Sequence, residues 1–198
     1  MNYLAHAYLS FGQPGILAGN LFSDFIKGKK KFDYPAVIQQ GIQLHRDIDQ
    51  FTDQHESIRQ AKEIFRKPYR LYSGAFTDVA FDHFLATDPI AFTESSLYDF
   101  SRWVYNTLDS YWQYFPESFL YMYPHMKEHN WLYNYRLRSG MEKSFGGLVR
   151  KAAYLTESET AFHLFEVNYD SLHACYQSFF PELKNYAFTR LREIQFAD

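Results

Sequence analysis

At 198 residues, with 46% hydrophobic and 22% charged side chains, the chain has the composition of a soluble globular protein and the length for a sizeable core. A formal net charge of −3 gives no overall basic footprint, so nucleic acid is not an expected partner. No apolar run is long enough for a membrane span, Met1-Asn2-Tyr3 lacks the start of a signal peptide, and the lone Cys175 has no internal disulfide partner, so a reducing, cytoplasmic setting is expected.

In chain order, residues 2–11 read as a short helix with Tyr3 and His6 on one side. Gly12-Gln13-Pro14-Gly15 signals a turn, and a helix follows over 16–26 with Leu17, Asn20, Leu21 and Asp24 as its stripe. Lys27 to Lys31 reads as a solvated basic loop. Pro35 suits the first turn of a helix over 36–52. An amphipathic helix is predicted over 57–65, and Pro68 opens another that runs to Leu85 and stops before Asp88-Pro89. A long helix over 93–114, with Ser96 and Asp99 as its capping pair, has the aromatic stripe Phe100, Trp103, Val104, Leu108, Tyr111. The aromatic stretch 119–131 is left unassigned. Arg136 and Arg138 fall on a piece ending near Gly140, and Gly146-Gly147 interrupts a weak helix over 141–153. Ser158 opens the last long segment, which Pro181 kinks or restarts before 183–196. Strand alternation is nearly absent. The prediction is a single all-α domain over residues 1–198 with seven to nine helices.

Two of these helices carry charge on the face that should be apolar. Ile38, Gly41, Ile42, His45, Ile48, Asp49 and Thr52 recur in steps of three and four, so they form one helical stripe that His45 and Asp49 interrupt. Leu71, Gly74, Ala75, Asp78, Phe81, Asp82 and Leu85 repeat the pattern with Asp78 and Asp82. Buried carboxylates without partners are costly, and several together repel. A bound cation removes both difficulties, and oxygen and imidazole donors suit manganese, iron, magnesium or zinc. The plainer reading of each residue alone is a hydrogen-bonded core group. His125, His129, His163 and His173 form no pair on a shared apolar stripe and are read as surface or core histidines.

The segments Met1-Asn2-Tyr3-Leu4-Ala5-His6, Gly19 to Phe25, Gly41 to Asp49, Phe51-Thr52-Asp53 and Asp82-His83-Phe84-Leu85, in this order, resemble the acyl carrier protein phosphodiesterase family. The likeness is densest over residues 1–90. It implies an all-helical fold, HD-domain-like and distantly related to the HD metal-dependent phosphohydrolases. It also implies a hydrolase that removes 4′-phosphopantetheine from holo-acyl carrier protein with a divalent metal, Mn2+ first, then Mg2+ or Fe2+. The chain departs from the HD pattern in offering Asp82-His83, the reverse order.

On this reading the metal ligands are His45, Asp49, Asp78 and Asp82, with Asp24 and His6 next. Asp24, Arg46 and His83 are the catalytic candidates, Arg46 for a phosphate oxygen and His83 for protonating the leaving serine. Lys27, Lys29, Lys30 and Lys31 would dock the acidic carrier protein. Two rivals are a phosphohydrolase of nucleotides or other small phosphate esters, and a non-catalytic helical binding protein whose inward acids pair with arginines.

Overall fold

Eleven α-helices and no strand occur among residues 1–196, the residues that the structure, a computed structural model, describes. They are α1 (Tyr3–Tyr8), α2 (Pro14–Phe22), α3 (Ala36–Gln54), α4 (Glu56–Tyr69), α5 (Ser73–Thr87), α6 (Glu94–Asp109), α7 (Glu117–Glu128), α8 (Trp131–Asn134), α9 (Arg138–Lys151), α10 (Glu159–Val167) and α11 (Tyr169–Phe196). The all-α expectation holds. The count exceeds seven to nine because α7 covers most of the unassigned aromatic stretch and α8 begins at its end, and because a break at Asn168 separates α10 from α11.

Several boundaries differ from the sequence reading. Pro68 lies inside α4 instead of opening α5; α4 ends at Tyr69, and its cap Arg70 takes a positive φ of 46°. Leu71 therefore falls in the 3₁₀ turn Arg70–Tyr72, is 99% exposed, and is not part of the α5 stripe. Asp24 sits in the 3₁₀ turn Ser23–Phe25 that follows α2, not on α2 itself. The basic stretch is a 3₁₀ helix, Gly28–Asp33, rather than a loop. The cap of α6 is Thr93, whose hydroxyl accepts the Ser96 N–H while the Ser96 hydroxyl accepts the Thr93 N–H; a serine hydroxyl performs the reciprocal bond usually given to Glu or Gln. Neither Gly146-Gly147 nor Pro181 ends a helix, because Phe145 in α9 and Phe179, Phe180 and Leu183 in α11 are buried and packing holds the register.

Two features of the fold set up the site. The first is the crossing of α2 and α3, where Gly19 faces Gly41. A Cβ on Gly19 would lie 2.1 Å from the Ile38 carbonyl oxygen, and one on Gly41 would lie 2.3 Å from that of Ile16. Only glycine permits backbones this close, and the closeness brings Asn20 of α2 under His45 of α3. The second is the capture of α1 by α5. The Asp82 carboxylate, fully buried, accepts the Leu4 and Ala5 N–H groups at 2.7 and 3.1 Å, two of the donors that the start of a helix leaves unpaired.

Behind these helices stands an aromatic core that includes Phe65, Phe76, Phe81, Phe84, Phe145 and Phe165, all buried. The long α11 closes it: Tyr186 stacks on Phe51 of α3 at 4.6 Å, and Arg190 holds buried Asp47 with two bonds of 3.0 and 3.1 Å. No helix among the described residues is long and apolar enough to cross a membrane.

Candidate metal centre

The site begins with Asn20, fully buried on α2. Its amide nitrogen donates to the His6 carbonyl at 2.9 Å and to the Ser10 hydroxyl at 3.1 Å. Those two acceptors fix the orientation of the amide, so Oδ1 must face the Nδ1 of His6, 2.8 Å away. The backbone carbonyl of the same residue accepts from Nδ1 of His45 at 2.7 Å. One residue thus holds both imidazoles with Nδ1–H turned inward and Nε2 turned to the site. The rings lie nearly parallel, 4.0 Å apart at 17°. Outer-sphere bonding of this kind fixes the tautomer of a metal-ligating histidine.

Carboxylates meet the two Nε2 atoms. Asp49, one helical turn after His45, lies 3.1 Å from His45 Nε2 and 3.3 Å from His6 Nε2. Asp24 reaches His45 Nε2 at 3.0 Å from the turn after α2. One ligand atom each from His6, His45 and Asp49 falls within 4.8 Å of the others. Met1, Tyr3 and Leu21 complete the walls of a small cleft around His6, Asn20, Asp24 and His45.

The electrostatics match a cation site. Burial opposes ionisation of Asp49, but the hydrogen bond from His45 and the neighbouring His6 outweigh it and hold the carboxyl well below its usual range. The His45 hydrogen bond does the same to Asp24 against a smaller burial effect. Burial also opposes a charge on His45, yet Asp24 and Asp49 lift its pKa to about 9. Burial, with neighbouring His45, lowers that of His6, so its imidazole is neutral. His6 Nε2 is buried and makes no hydrogen bond of its own. A buried lone pair 3.3 Å from the ionised Asp49 carboxylate is costly unless something positive meets it. Two imidazole nitrogens, one of them the unpartnered His6 Nε2, and two carboxylates fit a borderline or hard divalent ion.

The structure divides the six predicted ligands. His6, Asp24, His45 and Asp49 come together. Asp78 instead faces the α-amino group of Met1 at 3.2 Å, and that ammonium also lies 3.9 Å from Asp49. Asp82 is the cap of α1; burial pushes its carboxyl up to about 7, against the pull of the Leu4 and Ala5 N–H groups. The spacing had put Asp78 and Asp82 on one face correctly, but that face meets the start of the chain.

The structure shows what two of the catalytic candidates touch. Arg46 donates to the Ile26 carbonyl at 3.3 Å, so it steadies the segment that follows Asp24. His83 donates from Nδ1 to the Tyr135 carbonyl at 2.7 Å and pairs through Nε2 with the Tyr169 hydroxyl at 3.0 Å, among Phe84 and Phe165. Burial pushes its pKa down to about 4, so it is a neutral core histidine without a proton to give a leaving group.

Sequence reasoning missed Asn20 as a site residue, since a neutral amide on an apolar stripe does not stand out as a charge does. It also missed the second half of the chain. The Tyr3 hydroxyl lies 3.2 Å from Met122 Sδ on α7, and Lys151 Nζ at the end of α9 lies 3.3 Å from the same sulfur. The charge of Asp24 is felt at both groups.

Comparison with known proteins places the chain in a family. The family model described as acyl carrier protein phosphodiesterase matches residues 1–183. A protein named acyl carrier protein phosphodiesterase from Klebsiella pneumoniae subsp. pneumoniae is 29% identical over 188 residues, covering 94% of this chain and 97% of the relative. One of the same name from Photorhabdus laumondii subsp. laumondii is 30% identical over 183 residues, covering 91% and 92%. Another, from an Enterobacter species, is 28% identical over 184 residues, covering 92% and 95%. No solved structure gives a significant match. The chain belongs to the acyl carrier protein phosphodiesterase family.

Proposed function

We propose that the chain hydrolyses the phosphodiester between 4′-phosphopantetheine and the serine of holo-acyl carrier protein, with a divalent ion, manganese first, held by His6, His45, Asp49 and Asp24. The observation that carries this reading is the convergence of two Nε2 atoms and two ionised carboxylates at one cleft, in a chain of this family. When bound, the ion supplies a Lewis acid that lowers the pKa of water and neutralises phosphoryl oxygens.

The chain's own groups do the rest. Asn20 orients both imidazoles, and Arg46 steadies the backbone beyond Asp24. Lys151 extends an ammonium on the Tyr3 and Met122 side of the cleft and makes no salt bridge among the described residues, so it is available to a phosphate oxygen. Lys27, Lys29 and Lys30 are exposed and unpaired among the described residues, next to the turn that carries Asp24. An acidic carrier protein would meet them as it brings its serine to the cleft. Lys31 is less free, since it bonds Gln43 at 3.2 Å and lies over the Phe32 ring.

The rival in which arginines neutralise the inward acids describes Asp47, which Arg190 holds, but not Asp24, Asp49, Asp78 or Asp82. The test is a side-by-side assay of purified protein with manganese on holo-carrier protein and on a nucleotide panel. Release of phosphopantetheine and of apo-carrier protein, read by mass spectrometry, is expected. Cleavage of nucleotides with holo-carrier left intact would overturn the reading.

A further inference from the structure

A second group of metal-ligand side chains lies on another element. The last turn of α7 and its cap carry His125, Glu128 and His129, all exposed. One ligand atom from each falls within 4.8 Å of the other two. None of the three side chains makes a hydrogen bond or ion pair among the described residues, so each is free to bind.

The turn is held in shape by its backbone. The His129 N–H donates to the His125 carbonyl at 3.1 Å, and the Asn134 amide donates to the His129 carbonyl at 2.7 Å. Asn130 then takes a left-handed φ of 42° and stops the helix. Little backbone order would be lost on chelation, since the three side chains already project from one formed turn. The turn is also weak from within. Pro124 has no N–H to bond the Leu120 carbonyl, so a link just beyond it would staple the end of a helix already short of a bond.

We propose that His125, Glu128 and His129 form a surface zinc site, separate from the interior centre. Two imidazoles and one carboxylate make a three-ligand set for tetrahedral zinc, with the fourth position left to water or an outside donor. The negative end of the α7 dipole and the Glu128 charge both favour a cation there. Zinc outranks manganese at such a donor set, so the two centres should differ in preference.

The experiment is a titration of the full, untagged chain with zinc against a competing chelating dye, repeated with manganese. The expected result is that H125A/H129A binds one zinc equivalent fewer than the parent chain, while its tight manganese binding is unchanged. Both substitutions are on the surface, and circular dichroism checks that the helices remain. A His45→Ala chain should lose the interior equivalent and keep the surface one, so failure of the interior centre is read separately. Equal zinc binding by H125A/H129A and the parent would overturn the proposal.

Discussion

Asn20→Leu tests the argument most finely, because it removes one side chain's polar atoms and little volume. Asn20 makes three side-chain hydrogen bonds, to His6 Nδ1, the His6 carbonyl and the Ser10 hydroxyl, and all are buried. The His6 carbonyl and Ser10 hydroxyl still have each other at 2.8 Å, so His6 Nδ1 is the group left stranded. One stranded buried donor costs about 1–3 kcal/mol, which should appear as a lower urea midpoint at unchanged slope. The second effect is on the ion. Losing an outer partner of a ligating histidine lowers metal affinity about 10–100-fold, or roughly 1.4–2.7 kcal/mol. The assay is a manganese titration of both chains after chelation and dialysis. An affinity within about twofold of the parent, with the expected loss of stability, would refute Asn20 as the residue that aims His6.

Other outcomes follow from the same contacts. Asp49→Asn should abolish manganese binding and turnover, whereas Asp78→Asn, which loses only its contact with the Met1 ammonium, should keep the ion; equal loss in both would restore Asp78 to the ligand set. Gly41→Ala sets a Cβ 2.3 Å from the Ile16 carbonyl, so α2 must shift; a cost near the top of the ~1–3 kcal/mol overpacking range is expected by urea denaturation, and an unchanged midpoint would contradict the close crossing. With its pKa raised to about 9, His45 carries a proton on Nε2 at neutral pH, and an ion must displace it. Manganese loading should therefore release protons at pH 7 and strengthen as pH rises toward 9; affinity flat between pH 6 and 8 would count against competition at that nitrogen. Reversing the charge of Lys27, Lys29 and Lys30 should raise KM for carrier protein at low salt and leave a small phosphodiester unaffected; equal loss on both substrates would argue against docking.

The sequence made the faces of α3 and α5 legible, but not what each face meets. The three-and-four spacing around His45 and Asp49 named a face of α3, and that face does reach His6 and Asp24. The same spacing in α5 named a face with equal force, but periodicity says which residues share a side and not what lies opposite. Opposite Asp78 and Asp82 lies the start of the chain, whose N–H and ammonium groups engage both carboxylates. Asp24 was placed on a helix that ends before it, and the 3₁₀ turn is what lets it approach His45 from outside the α3 stripe. His83 is a candidate acid because an imidazole pKa suits proton transfer, yet a one-residue step from Asp82 turns about 100° around the helix and points it at Tyr135 and Tyr169. The all-α class was plain from the punctuation, while α8 and the break at Asn168 were hidden in aromatic sequence without clear period.

In the proposed centre two imidazoles, of His6 and His45, share one ion. Pulsed electron paramagnetic resonance of manganese-loaded H125A/H129A protein reads this directly, through the coupling of the ion to ligand nitrogens. Two histidine nitrogens are expected in that chain, and one after His6→Gln is added. Bound manganese with no nitrogen coupling would contradict the central claim.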